Sequence, residues 1–175
     1  DYDYGVLVVN KRSVVLISAS DTKEYDGTPL TNSNVEAKGY GFVDGDEVTY
    51  NVEGTITNVG TVNNSFTYTF VDDKVKSNYD ITKVEGVLIV TPNTSLVVNI
   101  IEPTDTFEYN GETHFLRDFE VVTNLEEGQY TASDFVYSGV AEVSGSLVGK
   151  YSMDLQPSQF TNINKNFDEV QFNVI

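Results

Sequence analysis

The chain repeats itself. Val6-Leu7-Val8-Val9 is followed by an apolar run over residues 13–17 and then by Tyr25-Asp26-Gly27; much later, Val87-Leu88-Ile89-Val90 is followed by residues 95–101 and then by Tyr109-Asn110-Gly111. Further marks recur in the same order. Val59-Gly60 has its counterpart in Val148-Gly149, and Asn78-Tyr79-Asp80 in Asn166-Phe167-Asp168, with a small insertion in the second copy. Such ordered recurrence is the signature of one module used more than once. A period of about 80–90 residues exceeds that of most solenoid units and fits independently folding domains in a row. The 175 residues are therefore expected to form two small modules, residues 1–91 and 92–175, each burying a modest core of its own.

Within each copy the dominant period is two. Val48, Tyr50 and Val52 alternate with Thr49 and Asn51, and Phe66, Tyr68 and Phe70 alternate with Thr67 and Thr69. In the second copy Tyr151, Met153 and Leu155 alternate, as do Val170, Phe172 and Val174. This pattern marks half-buried strands. Asp26-Gly27, Asp44-Gly45-Asp46, Asn63-Asn64, Asp72-Asp73 and Asn110-Gly111 are the turn signals between them. The fold class predicted is all-β: two tandem Ig-like β-sandwich modules, antiparallel, of about seven strands each. A β-grasp-like module is the runner-up, but it needs a helix across the sheet and no segment reads as one. Residues 125–128 and 157–161 read at most as single helical turns. The boundary falls at Thr91-Pro92-Asn93-Thr94, where a short linker stiffened by Pro92 implies a rod. The predicted core includes Val15, Ile17, Leu30, Val48, Tyr50, Phe66, Tyr68, Ile81, Leu88, Val98, Ile100, Leu155, Phe160, Phe167 and Phe172.

Charge removes several function classes. With 27 acidic against 10 basic residues the formal net charge is −17. Phosphate backbones and anionic membrane surfaces both need basic patches, so neither nucleic acid nor a membrane is an expected partner. No stretch is long and apolar enough for a membrane-spanning helix. Cysteine is absent, which leaves no disulfide framework and no thiolate metal site.

Lys23-Glu24-Tyr25-Asp26-Gly27-Thr28-Pro29-Leu30 is the most distinctive segment. Together with Gly45-Asp46, Val59-Gly60 and the run from Asn78-Tyr79-Asp80-Ile81 to Gly86-Val87-Leu88-Ile89-Val90, it resembles the YDG and MBG repeat domains of large bacterial surface and adhesin proteins. The resemblance is close over residues 13–91 and looser over residues 95–175, where Tyr109-Asn110-Gly111 replaces the usual triplet. It implies an extracellular module on the bacterial cell surface, anchored to the cell wall through regions outside these residues. Its partners would be adjacent repeat modules of the same protein, and it supplies no catalytic residue. The residues themselves agree that the triplet is structural: Gly27 tolerates positive φ and Asp26 bonds nearby amides, as a tight corner requires.

The chemistry that the sequence offers is thin. His114 is the only histidine, and with no Cys it can build neither a Cys/His dyad nor a zinc cluster; it reads as an exposed strand or loop residue. No cofactor is expected and the chain does not read as an enzyme. Asp44, Asp46, Glu47, Asp72 and Asp73 are calcium candidates, because calcium takes several oxygen ligands from Asp-rich loops; the competing reading is two hairpin turns rich in Asp. A Lys–Asn or Lys–Asp isopeptide bond would need a buried strand lysine, and Lys83 is expected to point outward. Two functions remain. One is a stalk or spacer that projects an adhesive region. The other is a module that binds host protein or glycan through loops or strand edges, with Tyr40, Phe42, Tyr130 and Tyr137 as exposed aromatic candidates.

The ends carry one more expectation. Asp3-Tyr4-Gly5-Val6-Leu7-Val8-Val9 matches Val84-Glu85-Gly86-Val87-Leu88-Ile89-Val90, the predicted closing strand of the first module. Residues 1–9 thus read as the closing strand of a preceding module, while the strand that would close the second is due only after Ile175. A monomer in which residues 1–9 lie along their own module, and head-to-tail exchange in which residues 5–9 of one molecule pair with another, are both open.

Overall fold

The computed structural model describes residues 5–175. The chain is all-β, with fifteen strands, two short 3₁₀ turns and no α-helix among the described residues. It divides into two compact units, Asp1–Thr91 and Pro92–Ile175.

The first unit holds β1 (Arg12–Ser18), β2 (Asp21–Glu24), β3 (Val35–Gly39), β4 (Val48–Val52), β5 (Gly60–Asn64), β6 (Phe66–Phe70), β7 (Tyr79–Val84) and β8 (Gly86–Thr91). These form two three-stranded sheets, β3-β1-β7 and β2-β8-β5, and the pair β4-β6. Pairing is not antiparallel throughout, as the turn signals had predicted. β1 runs parallel to β7, with Val14 opposite Ile81, and β2 runs parallel to β8, with Asp21 opposite Leu88. The reason lies in three long, bent segments. β1 continues into β2, β5 into β6, and β7 into β8, each changing sheet after a break of one or two residues.

Polar groups fix those bends. Asn64 is fully buried; its Nδ2 donates to the carbonyls of Ala19 (2.9 Å) and Asn32 (2.8 Å). The buried Ser18 hydroxyl donates to the Asn64 carbonyl (2.6 Å) and accepts from the Gly86 amide (2.9 Å). Breaks in the ladders free backbone groups that must find partners when buried, and these two side chains supply them. Gly86 is required by space: a Cβ there would stand 2.4 Å from the Ala19 carbonyl oxygen.

Two apolar clusters lie on either side of the bends. Val14, Leu16, Phe66, Phe70 and Tyr79 form the larger. Leu88 and Val90 of β8 form the smaller with Leu30, against which Tyr25, Ile56, Val59 and Val62 pack. Fully burying a Leu or Val is worth roughly 1.5–3 kcal/mol, so β8 is a main anchor of the smaller cluster. Val15 and Ile17 are only half-buried, and Val14, Leu16 and Ser18 take the inner face instead. Every residue from Val14 to Ile17 is apolar, so alternation there could not fix which set faces inward. Val48, Tyr50, Tyr68, Ile81 and Phe172, also expected inside, are likewise half-buried.

The second unit holds β9 (Val97–Ile101), β10 (His114–Arg117), β11 (Glu120–Thr123), β12 (Phe135–Tyr137), β13 (Glu142–Gly145), β14 (Phe160–Asn162) and β15 (Gln171–Val174). Its three-stranded sheet, β11-β9-β15, repeats the pattern of β3-β1-β7: β9 is antiparallel to β11 and parallel to β15. The pair β12-β14 lies over a core of Leu96, Val98, Ile100, Tyr130, Phe135, Leu155, Phe160 and Phe167. The remaining pair is β10-β13, antiparallel, with Leu116 opposite Val143. The segment of Tyr151, Met153 and Leu155 is not a strand, despite its alternation, although Leu155 is buried. The 3₁₀ turn Pro157–Gln159 falls in a segment read as a single turn; Lys76–Asn78, in the first unit, is a second that the sequence did not signal.

Residues 5–9 belong to no strand, and Leu7 is 89% exposed. Residues 1–4, included in the predicted closing strand of a preceding module, lie outside the described residues.

Candidate functional site

The two triplet corners share their local geometry. Gly27 and Gly111 both have positive φ, 80° and 82°, a conformation that glycine adopts without a Cβ penalty. Asp26 Oδ1 accepts from the Thr28 amide at 2.9 Å, and Asn110 Oδ1 accepts from the Glu112 amide at the same distance. Asp26 takes more: it also accepts from Lys23 Nζ (2.6 Å) and the Thr28 hydroxyl (2.7 Å). Lys23 first, then Thr28, holds its carboxyl far below the usual carboxylate range. The Tyr25 amide donates to the Thr91 carbonyl at the end of β8 (2.8 Å), and the Tyr25 ring packs on the cluster that β8 anchors. Tyr109 is 66% exposed.

Below Tyr109 lies a groove of about 540 Å³. One wall is residues 102–109, which follow β9 as β2 follows β1. The other is residues 143–153, around the second valine–glycine mark. Phe107, Tyr109, Phe115, Leu147, Val148 and Tyr151 are the exposed apolar residues that line it. Val59-Gly60 leads into β5, but Val148-Gly149 does not lead into a strand, contrary to expectation; the chain there bends, with Tyr151 lying over Gly145. His114 opens β10 and is half-buried in the groove rather than exposed, its ring stacked on Phe107 at 4.5 Å and 11°. Its Nε2 is buried with no hydrogen-bond partner among the described residues.

The acidic turns have other duties. Asp46 accepts from the Tyr79 hydroxyl (2.6 Å), which in turn accepts from the Val43 amide (2.9 Å). Burial and then Asp46 push the Tyr79 hydroxyl above its ordinary value. Asp72 accepts from the Lys74 amide (3.0 Å), while Asp44, Glu47 and Asp73 are exposed. No group of three or more His, Asp or Glu side chains among the described residues is placed to hold a metal ion. Lys83 pairs with Glu85 (2.8 Å) and stands over the Phe66 ring.

The late marks begin the parallel ladders. Asn78 ends the 3₁₀ turn, its amide on the Val75 carbonyl (2.9 Å), and Tyr79 opens β7 opposite Arg12. In the second copy the Asn166 carbonyl accepts from the Asn93 amide (2.9 Å), and Phe167 bridges to Asn93. Phe167 lacks the hydroxyl of Tyr79 and packs edge-on to Tyr130 (5.3 Å), whose hydroxyl donates to Asn162 Oδ1 (3.1 Å). Of the four aromatics expected at the surface, only Tyr40 is exposed. Phe42 packs edge-on to Phe70 and Tyr79, Tyr130 is buried, and Tyr137 stacks on Phe160 at 4.9 Å. Their short, mostly non-alternating surroundings in sequence gave no sign of the distant rings that cover them. Ser18, Asn64 and the groove aromatics Phe107 and Phe115 were not singled out from sequence. Asn64 had been read only as a turn signal.

Comparison with protein-family models, curated proteins and solved structures finds no match to this chain.

Proposed function

We propose that the chain is a non-catalytic spacer of a bacterial surface protein, two repeats of one module that hold an adhesive region away from the cell. The finer fold reading that goes with it is a tandem pair of Ig-like sandwich modules, modified by the parallel pairing of the first and last strands of each sheet. The observation that carries the proposal is the recurrence of β3-β1-β7 as β11-β9-β15, with the same strand directions, in units bearing the same ordered marks. A repeated scaffold in which Asp26 and Asn110 cap the corners and Ser18 and Asn64 brace the bends suits spacing rather than chemistry. The test is an array of extracellular-matrix proteins and glycans probed with the labelled chain. A spacer gives no saturable binding.

The second reading, an adhesin module that grips host protein or glycan, is favoured by one observation: the groove of the second unit exposes several aromatics together, and contiguous apolar surface commonly marks interaction sites. Saturable binding on the array, lost on Phe107→Ala or Phe115→Ala, would select it.

A further inference from the structure

The two corners share a cap but not a chemistry. In the first the capping side chain is a carboxylate, and Asp26 Oδ1 is held by Lys23 Nζ, the Thr28 amide and the Thr28 hydroxyl. In the second it is a carboxamide, and Asn110 Oδ1 accepts from the Glu112 amide. The side chains that would hold it further are replaced. Phe107 stands where Lys23 stands in the first corner, two residues before the tyrosine, and Glu112 stands where Thr28 stands. Asn110, Gly111 and Glu112 are all exposed.

Asn110 is the only asparagine of the chain followed by glycine. A backbone nitrogen can attack the side-chain carbonyl of the asparagine before it, and glycine, without a Cβ, leaves that approach open. The corner assists in three ways. Its Asx turn closes one ring that contains both Asn110 Cγ and the Gly111 nitrogen, so the atoms that must bond are held near each other. The Gly111 amide donates to no group among the described residues, and nothing lies within 4 Å of the place a Cβ would take. The Glu112 amide already points at Oδ1, where negative charge gathers as attack proceeds, as an oxyanion donor does.

We propose that Asn110-Gly111 is a self-modification site, at which the chain deamidates itself and turns its second corner acidic. Hydroxide takes the Gly111 amide proton, and the nitrogen bonds to Asn110 Cγ. The Cγ–Nδ2 bond breaks, and the side-chain nitrogen leaves as ammonia with a proton drawn from water. Water then opens the cyclic imide. Opening at Cγ yields aspartate, the residue of the first corner. Opening at the main-chain carbonyl yields isoaspartate, which adds a methylene to the backbone path. Either carboxylate lacks the lysine of the first corner and has Glu108 and Glu112 beside it in sequence, so it meets like charges. Asp26 is spared the same ring closure, because a carboxylate paired with Lys23 (2.6 Å) is a poor electrophile. Age therefore changes one corner and leaves the other as it was. The inference depends on neither the spacer reading nor the host-binding reading.

The chain carries its own controls. Asn32, Asn93, Asn162 and Asn164 each accept from the amide two residues on, as Asn110 does, but are followed by Ser33, Thr94, Ile163 and Lys165. In the test the full chain is kept in mildly alkaline buffer and sampled over weeks. Peptide mapping with electron-transfer fragmentation separates aspartate from isoaspartate at each site. Asn110 is expected to convert at least about tenfold faster than any of the four, a barrier difference of about 1.4 kcal/mol. It should also convert at least as fast as in a free peptide of residues 105–115. Asn110→Ser keeps an oxygen for the Glu112 amide and should give no product at the corner. Conversion of Asn110 at the pace of the four controls overturns the proposal. So does faster conversion in the peptide than in the folded chain, because the corner would then shield the asparagine rather than promote its attack.

Discussion

The corner at Tyr25-Asp26-Gly27 and the corner at Tyr109-Asn110-Gly111 are the same turn with different floors. Each has a glycine at positive φ and an Asx oxygen capping the amide two residues on. Beneath the first, β8 supplies Leu88 and Val90, and the tyrosine rests on them. Beneath the second is a groove, and the tyrosine is exposed. The turn is therefore fixed by its own local hydrogen bonds, whereas the burial of its tyrosine depends on a strand far away in sequence. Local chemistry sets the shape of a corner; a long-range strand decides whether it closes a core.

The comparison breaks most readily at β8. Leu88→Ala should destabilise the first unit by about 2–5 kcal/mol, the usual cost of emptying a buried leucine site. Tyr109→Ala in the second unit should stay within about 0.5 kcal/mol, as exposed substitutions do. Denaturant unfolding of the two variants measures both. Comparable losses would mean that the second corner is as well supported as the first.

Next in size is the bend. Asn64→Ala leaves the carbonyls of Ala19 and Asn32 without the donor that reaches both. An unsatisfied buried group costs about 1–3 kcal/mol, and loosening should show in the midpoint of unfolding. The second unit uses a carboxylate at the matching place: Glu102 follows Val98 and Ile100 as Ser18 follows Val14 and Leu16, and its Oε1 accepts from the Leu155 amide (2.7 Å). Glu102→Gln keeps an acceptor there and should cost less than Asn64→Ala.

The smallest expected effect is a pH dependence confined to one corner. Asp26 titrates in the folded chain far below an unfolded aspartate, which titrates near about 4. Its folded-state value is depressed, so the stability it contributes is present above pH about 4 and is lost as pH falls toward the folded value. Lys23→Met should reduce that acid sensitivity, because Lys23 is its largest cause, while the Thr28 amide and hydroxyl keep part of it. Asn110 cannot titrate, so the second corner should show none. The checks are acid melts of the two variants Lys23→Met and Asn110→Ala against the parent chain.

The sequence carried the β class in its period-two runs: β4 and β6 fall where Val48, Tyr50, Val52 and Phe66, Tyr68, Phe70 alternate. The recurring triplets are the recurring corners. Three things were not legible. Strand phase in β1 was hidden because consecutive Val and Leu residues satisfy both faces. Parallel pairing was hidden because turn signals report on neighbours in sequence, not on a first strand meeting a last one. The alternation of Tyr151, Met153 and Leu155 did not become a strand, since a ladder needs a partner and residues 149–153 flank an open groove. As for the candidate site, Val6-Leu7-Val8-Val9 stood out by its likeness to β8, but the aromatics of the groove, Phe107 and Phe115, had no pattern of their own.

Amide hydrogen exchange on the full chain tests most directly whether the first corner stands on a strand and the second on a groove. In dilute solution, residues 21–24, 60–64 and 86–91 should be protected together, while residues 103–108 and 149–153 exchange fast. Protection of residues 103–108 and 149–153 equal to that of 21–24 and 60–64 would contradict the account.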